Sequence, residues 1–363
     1  MTATAVPVRP PRPLWRRVLV PAASLALAAA VLWWFLPQFT SLSAVWDTVR
    51  AMTGAQVALL AAATVWNLVT YQFVMVSTMP GLTLRQATVS TMTTTAVSNT
   101  VLGGAAIALG LTYGMNSSWG FSRSRTSVSL LISGLWNNFA KLALPVLALS
   151  LLAFGSTPST GRLLAGAAGL GGLVVAVVLL ALLLHSREGA ARLGRGFGRV
   201  ASALVGLFGR PPVHGWDAAT TKFRDRTILL LRARWHWISL ATLVSHLSLF
   251  VVLLLALRVV GVGPEQVGVV EALAVFAFAR LLTAVPFTPG GLGVVEVAMI
   301  TGLAAAGGDR ALVAAAVLVY RALTYVLPIP LGLGTYLFWR RNHSWRRPPN
   351  TAPRTPLVPE ATS

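Results

Sequence analysis

The stretch PFTPGGLGVVE, residues 286–296, lies between two apolar segments and decides how this chain can fold. Its two prolines lack a backbone donor, and its three glycines tolerate backbone angles that other residues resist. A helix must therefore break here, at membrane depth, where the freed backbone groups need protein or a wet cavity around them. A new helix starting after Gly293 would point its positive dipole end into the break, which favours an anion such as a lipid phosphate. The alternative is a plain kink between two packed helices.

The composition of the 363 residues indicates an all-α, polytopic integral membrane protein. Apolar residues make up 55% of the chain and charged residues 10%, and the mean hydropathy is +0.72. Cysteine is absent, which excludes disulfides, thiolate metal sites and a cysteine nucleophile. The five histidines show no metal-ligand spacing, and no phosphate-loop or dinucleotide fingerprint is present. We therefore expect no metal and no cofactor.

Hydropathy predicts about eight membrane spans within a transmembrane domain of residues 14–340. We place them at residues 18–36, 57–79, 128–154, 163–184, 235–257, 267–285, 289–306 and 311–338, of which the seventh is the broken one. Residues 86–115 are too polar for a lipid-facing span, and we predict a re-entrant hairpin of two half-helices. The alternative is an ordinary span packed by small residues. Residues 1–13 and 341–363 are expected to be disordered tails, and residues 185–234 a basic loop.

The placement of positive charge supports this layout. With both termini cytoplasmic, 22 of the 29 Lys and Arg residues lie inside, four lie outside and three lie within the membrane. Such a distribution obeys the positive-inside rule and predicts a multi-pass protein of the plasma membrane. It also accounts for the net charge of +20 without a nucleic-acid partner.

The break carries a family resemblance. Its P-x-x-P-G-G-L-G-x-x-E pattern resembles the bacterial lysylphosphatidylglycerol synthase transmembrane family, the flippase-like half of the aminoacyl-phospholipid synthases. The likeness continues to Tyr320-Arg321, and to Tyr325, Pro328 and Gly332, and reaches upstream to Asn99 and Gly103-Gly104, covering about residues 15–340. It implies a free-standing, flippase-like member that handles lipid and lacks the aminoacyl transferase half. The longest non-membrane stretch, about 50 residues, is too short for such a domain.

Ionisable residues within the predicted spans are the candidates for function. Lys141, Arg280 and Arg321 are cationic, and a structural pairing with carboxylates is the alternative to a role in headgroup binding. The last two spans are joined by a tight turn at Gly308. Glu296 lies 12 residues before it and Arg321 lies 13 residues after it, which places both at a similar depth, about 15 Å below that turn. We predict that both face inward and either pair or share one polar cluster. His246 and Asn67 are expected to form interhelical hydrogen bonds.

These observations predict a protein that binds or translocates an anionic, phosphate-bearing lipid and is not an enzyme. The substrate-binding candidates are Lys141, Arg280, Arg321, Glu296, Asn99, Gly103, Gly104, Pro289, Gly290, Gly291, Gly293 and Tyr320. One alternative is a membrane-embedded enzyme or subunit that acts on a polyprenyl-phosphate or phospholipid, and another is a non-transporting scaffold. Two Gly-rich breaks in different halves of a chain are typical of transporter sites, but the sequence leaves an internal repeat open.

Overall fold

In the computed structural model, the regular elements of the described residues are helices. These are residues 47, 49–100, 104–155, 216–283 and 291–347, with isolated positions between 167 and 202. The predicted spans at residues 18–36 and 163–184 lie outside the described residues or touch them only at isolated positions. The predicted tail at residues 1–13, Gly103, Pro289 and Gly290 also lie outside them.

The first half of the described chain consists of a long helix, a helical hairpin and a second long helix. The four helices are α1 (Gly54–Thr78), α2 (Leu84–Thr100), α3 (Gly104–Ser118) and α4 (Arg123–Gly155). Capping boxes begin α1 and α2, since in each a threonine just before the helix exchanges hydrogen bonds with a glutamine three residues later. The threonine-rich α2 satisfies its hydroxyl groups internally, because several bond the carbonyl four residues earlier.

Helices α2 and α3 return to the face of the molecule from which they leave. The Arg125 guanidinium, at the start of α4, donates a hydrogen bond to the Pro80 carbonyl before α2 (2.5 Å). At the end of α3, the Ser118 carbonyl accepts from the Arg347 N–H (2.9 Å). We call this side the basic face, because Arg85, Arg123, Arg125, Arg340 and Arg341 lie at helix ends there. The expected pair of half-helices is thus present, and one continuous span over residues 86–115 is wrong.

The second half repeats this order of elements. Its helices are α5 (Trp216–Val259), α6 (Val269–Leu282), α7 (Val294–Ala305), α8 (Arg310–Arg321) and α9 (Pro328–Arg341), with a π-helical turn (Ala322–Val326) joining α8 to α9. Asp309 caps α8 by accepting from two backbone N–H groups of its first turn. Four helical segments of the described chain are long and apolar enough to cross a membrane: Gly54–Thr78, Arg123–Leu152, Phe223–Val259 and Arg310–Arg341.

Helices α6 and α7 form a second hairpin, which opens on the opposite face. A Cβ at Gly307, after α7, would lie 2.7 Å from the Gln266 carbonyl oxygen before α6, and Gly302 packs against Val275 midway. The two helices have 14 and 12 residues, or about 21 and 18 Å, against a hydrocarbon core of about 30 Å. The structure does not confirm separate sixth and seventh spans at residues 267–285 and 289–306, because neither described helix is long enough to cross a membrane.

Corresponding helices of the two halves run in opposite directions between the basic face and the opposite face. Helix α1 ends at the basic face and α5 begins there, since Arg226 on α5 bonds Ser124 at the start of α4. The hairpins also pack in matching ways, since the first helix of each hairpin packs on the last long helix of the other half. These pairs are α2 with α9 and α6 with α4, while α1 packs on α5 between the halves. The main apolar core lies where α4 to α8 meet, toward the face on which the second hairpin opens. The described helices thus form an inverted pair of helix–hairpin–helix units.

Candidate functional site

A buried ion pair joins the second hairpin to α8. Arg321 Nε donates to Glu296 Oε1 (2.5 Å), and the Glu296 residue is only 4% exposed. The other carboxylate oxygen accepts the Gly293 N–H (2.7 Å), which satisfies a donor at the start of α7. Gly293 has φ +83°, which a residue with a side chain rarely adopts. The predicted pairing of Glu296 with Arg321 is confirmed.

The tip of the first hairpin is fastened to the same stretch of chain. The Asn99 side-chain amide donates to the Tyr325 carbonyl (3.0 Å), and the Tyr325 hydroxyl donates to the Asn99 carbonyl (2.5 Å). The Arg321 guanidinium carbon lies 4.4 Å from the centre of the Tyr325 ring, in cation–π contact. Residues 321–325, which we call the junction segment, therefore contact both hairpins.

Between the two halves lies a cavity of about 250 Å³, which we call the central cavity. All four long helical segments and the first helix of each hairpin contribute to its walls. Its lining residues are Asn67, Leu68, Tyr71, Met92, Thr95, Asn137, Ser245, His246, Leu249, Arg280, Thr324 and Pro328. The walls are mixed, with amides, hydroxyls, one imidazole and one guanidinium among apolar groups, as in sites that orient a polar ligand.

Arg280 is the charged residue of the cavity wall. Its Nε atom is buried and has no hydrogen-bond partner among the described residues. Opposite it on α5, His246 Nδ1 lies 2.9 Å from the Thr242 carbonyl, so this nitrogen carries a proton and donates, and the buried Nε2 has no partner within the described residues. Unpaired buried polar atoms are costly. Their presence at a cavity wall suits a ligand that supplies the missing partner.

Lys141 lies on α4, one turn beyond the cavity-lining Asn137, and is 8% exposed. Helix α4 packs against α6, which carries Arg280, and the charges of Lys141 and Arg280 lie near enough to repel each other. In the described part of the chain, no carboxylate forms an ion pair with either cation. The alternative that Lys141 is paired to a carboxylate therefore has no support in these residues.

The remaining sequence candidates serve the packing of the hairpins. A Cβ at Gly104 would collide with the Val97 carbonyl oxygen, so glycine allows α2 and α3 to approach closely. Gly291 has φ +74° beside the second break. Tyr320 is buried in the main apolar core and does not line the cavity.

Two expectations about hydrogen bonding have different outcomes. Asn67 bonds Ser248 Oγ on α5 (2.8 Å), so the predicted interhelical hydrogen bond is confirmed. For His246 the expectation fails, because its one observed bond is to its own helix and the ring faces the cavity. The contributions of Tyr71 and Thr95 to the wall were missed, since neither carries a signal in the sequence. No group of histidine and acidic residues suited to a metal ion occurs in the part of the chain that the structure describes.

A comparison with known protein families identifies the family of this chain. The profile of the lysylphosphatidylglycerol synthase TM region matches residues 22–332, which is most of the chain. The chain belongs to this family. The family match includes both hairpins, the junction segment and every residue of the cavity wall. No curated protein matches the chain. Membership makes this a membrane protein, in agreement with its long apolar helices.

Proposed function

We propose that this protein binds the anionic headgroup of a phosphate-bearing lipid in the central cavity and moves it between leaflets, and that it is not an enzyme. The observation that carries the proposal is the Arg280 guanidinium, which lines a cavity of about 250 Å³ and whose buried Nε has no partner among the described residues. Guanidinium groups bind phosphate through several directed hydrogen bonds. The cavity has room for a phosphate group with several waters.

The hairpins supply a reason why a headgroup could reach mid-membrane depth. Each hairpin is made of helices shorter than a bilayer core, and the two open on opposite faces, which fits re-entrant elements entering from each side. Discontinuous helices around a midplane site are the common plan of secondary transporters. The predicted orientation places the basic face and both termini in the cytoplasm of a plasma-membrane protein.

The test is lipid movement in vesicles that contain the purified protein. A fluorescent lipid with one phosphate should equilibrate between leaflets faster than in empty vesicles, and Arg280→Ala should slow it at least tenfold. Arg85→Ala is the matched control, because Arg85 is an exposed arginine at the basic face. The lipid should be recovered chemically unchanged. Equal rates for wild type, Arg280→Ala and empty vesicles would favour the scaffold, and an altered lipid would favour the enzyme.

A further inference from the structure

The cations around the central cavity outnumber the carboxylates that could neutralise them. Arg280 lines the cavity, Lys141 lies one turn beyond the lining Asn137, and Arg321 lies three residues before the lining Thr324. Among the described residues of these helices, the buried carboxylate is Glu296, which is already engaged by Arg321 and by a backbone N–H. His246 lies within electrostatic reach of both Lys141 and Arg280. In the neutral His246 ring, Nδ1 donates to the Thr242 carbonyl, Nε2 is left as an acceptor, and the ring adds no charge. Within the described residues, Lys141 and Arg280 remain without a carboxylate partner.

The sequence offers no further carboxylate in the predicted spans and the break that the structure does not describe. Residues 18–36, 163–184 and 284–290 contain no Asp or Glu. The nearest other acid along α6, Glu271, is exposed in the first turn of that helix, nine residues or about 13 Å before Arg280. Buried unpaired charges are strongly disfavoured at membrane depth. The missing negative charge must therefore come from outside the chain.

Resting on the proposed function, we infer that the central cavity selects a headgroup with two negative charges, which is a lipid phosphomonoester or diphosphate. A phosphomonoester carries between one and a half and two negative charges near neutral pH, which matches the two free cations. A phosphodiester lipid brings one negative charge and leaves one cation unpaired. A zwitterionic lipid adds a cation of its own and is the least suitable of the three.

The two cations have separate tasks in this arrangement. Arg280 forms part of the wall and can direct hydrogen bonds at the phosphate, whereas Lys141, one turn beyond Asn137, supplies a second charge on a flexible stem. Removing Lys141 should therefore remove the preference for the second negative charge. Removing Arg280 should weaken the binding of every phosphate-bearing lipid.

The experiment compares two lipids with identical acyl chains, dioleoyl phosphatidic acid and dioleoyl phosphatidylglycerol, binding to the full-length protein in nanodiscs at pH 8. We expect phosphatidic acid to bind at least tenfold more tightly. Lys141→Met should bring the affinity ratio to about one, Lys141→Arg should keep it, and the control Arg85→Gln should leave it unchanged. Inorganic phosphate and pyrophosphate are added as competitors, and competition by either at micromolar concentration would show that a free anion is the ligand.

The outcomes separate the charge assignment from the proposed function. Equal affinity for both lipids, or a preference that survives in Lys141→Met, overturns the charge assignment while headgroup binding stands. Binding of neither lipid overturns both. Circular dichroism and gel filtration of each variant show whether it is folded, and Lys141→Arg keeps the test valid where Lys141→Met unfolds.

Discussion

The ion pair between Glu296 and Arg321 offers the sharpest test of the structure, through the substitution Glu296→Gln. Glutamine can still accept the Gly293 N–H, so the start of α7 keeps its partner and only the charge is lost. Removing one member of a buried pair costs about 3–5 kcal/mol. The Arg321 side chain is 12% exposed and keeps its contact with the Tyr325 ring, which is worth about 0.5–2 kcal/mol. We therefore expect the free energy of unfolding to fall by about 2–3 kcal/mol.

The assay is reversible unfolding in mixed micelles of a mild detergent and dodecyl sulfate, with helicity followed by circular dichroism. Arg321→Met and the double variant complete a mutant cycle, whose coupling energy should be about 2 kcal/mol, within the range for residues in direct contact. Glu265→Gln is the control, because Glu265 is exposed, and it should change stability by less than about 0.5 kcal/mol. A coupling energy below about 0.5 kcal/mol would refute the reasoning that this pair holds the second hairpin.

Three further predictions test the packing of the hairpins. Tyr325→Phe removes the hydroxyl that bonds the tip of the first hairpin and should lower the free energy of unfolding by about 1 kcal/mol; no loss would contradict that contact. Gly332→Ala places a methyl against an α2 carbonyl and should cost about 1–3 kcal/mol, whereas Gly334→Ala, which faces open space, should cost little; equal costs would refute this packing. Because the chain has no cysteine, Val275→Cys with Gly302→Cys gives a clean cross-link test, and the Cβ separation of 3.5 Å suits a disulfide. Its failure to form under mild oxidation would argue against antiparallel α6 and α7.

Sequence reasoning succeeded where two residues lie on either side of one tight turn. The turn at Gly307-Gly308 sets the depth of residues on α7 and on α8 through the helical rise alone. Glu296 and Arg321 were therefore predictable as neighbours from their spacing, together with the cost of a charge in lipid. The break near Gly291 was predictable for a similar local reason, since proline and glycine act on their own backbone.

Sequence reasoning failed where a contact joins distant parts of the chain. Residues 267–285 are mostly apolar apart from Glu271 and Arg280, and composition alone does not distinguish a run that reverses at mid-depth from one that crosses. The approach of Gly307 to Gln266, 41 positions apart, shows that α7 returns to the face where α6 begins, and no local pattern marks this contact. The bonds between Asn99 and Tyr325 span 226 positions, and no local pattern marks them. The cavity wall was missed in part for the same reason.

The π-helical turn explains how one short segment can hold two hairpins that open on opposite faces. Its bond from the Leu327 N–H to the Ala322 carbonyl (2.9 Å) spans five residues, so the turn contains one residue more than an α-helical turn. An extra residue rotates everything after it by about 100° relative to everything before it. Arg321, before the turn, faces the second hairpin, while Tyr325 within it and Gly332 after it face the first. A regular helix with Arg321 in place would turn Gly332 away from α2, so both hairpins depend on this turn.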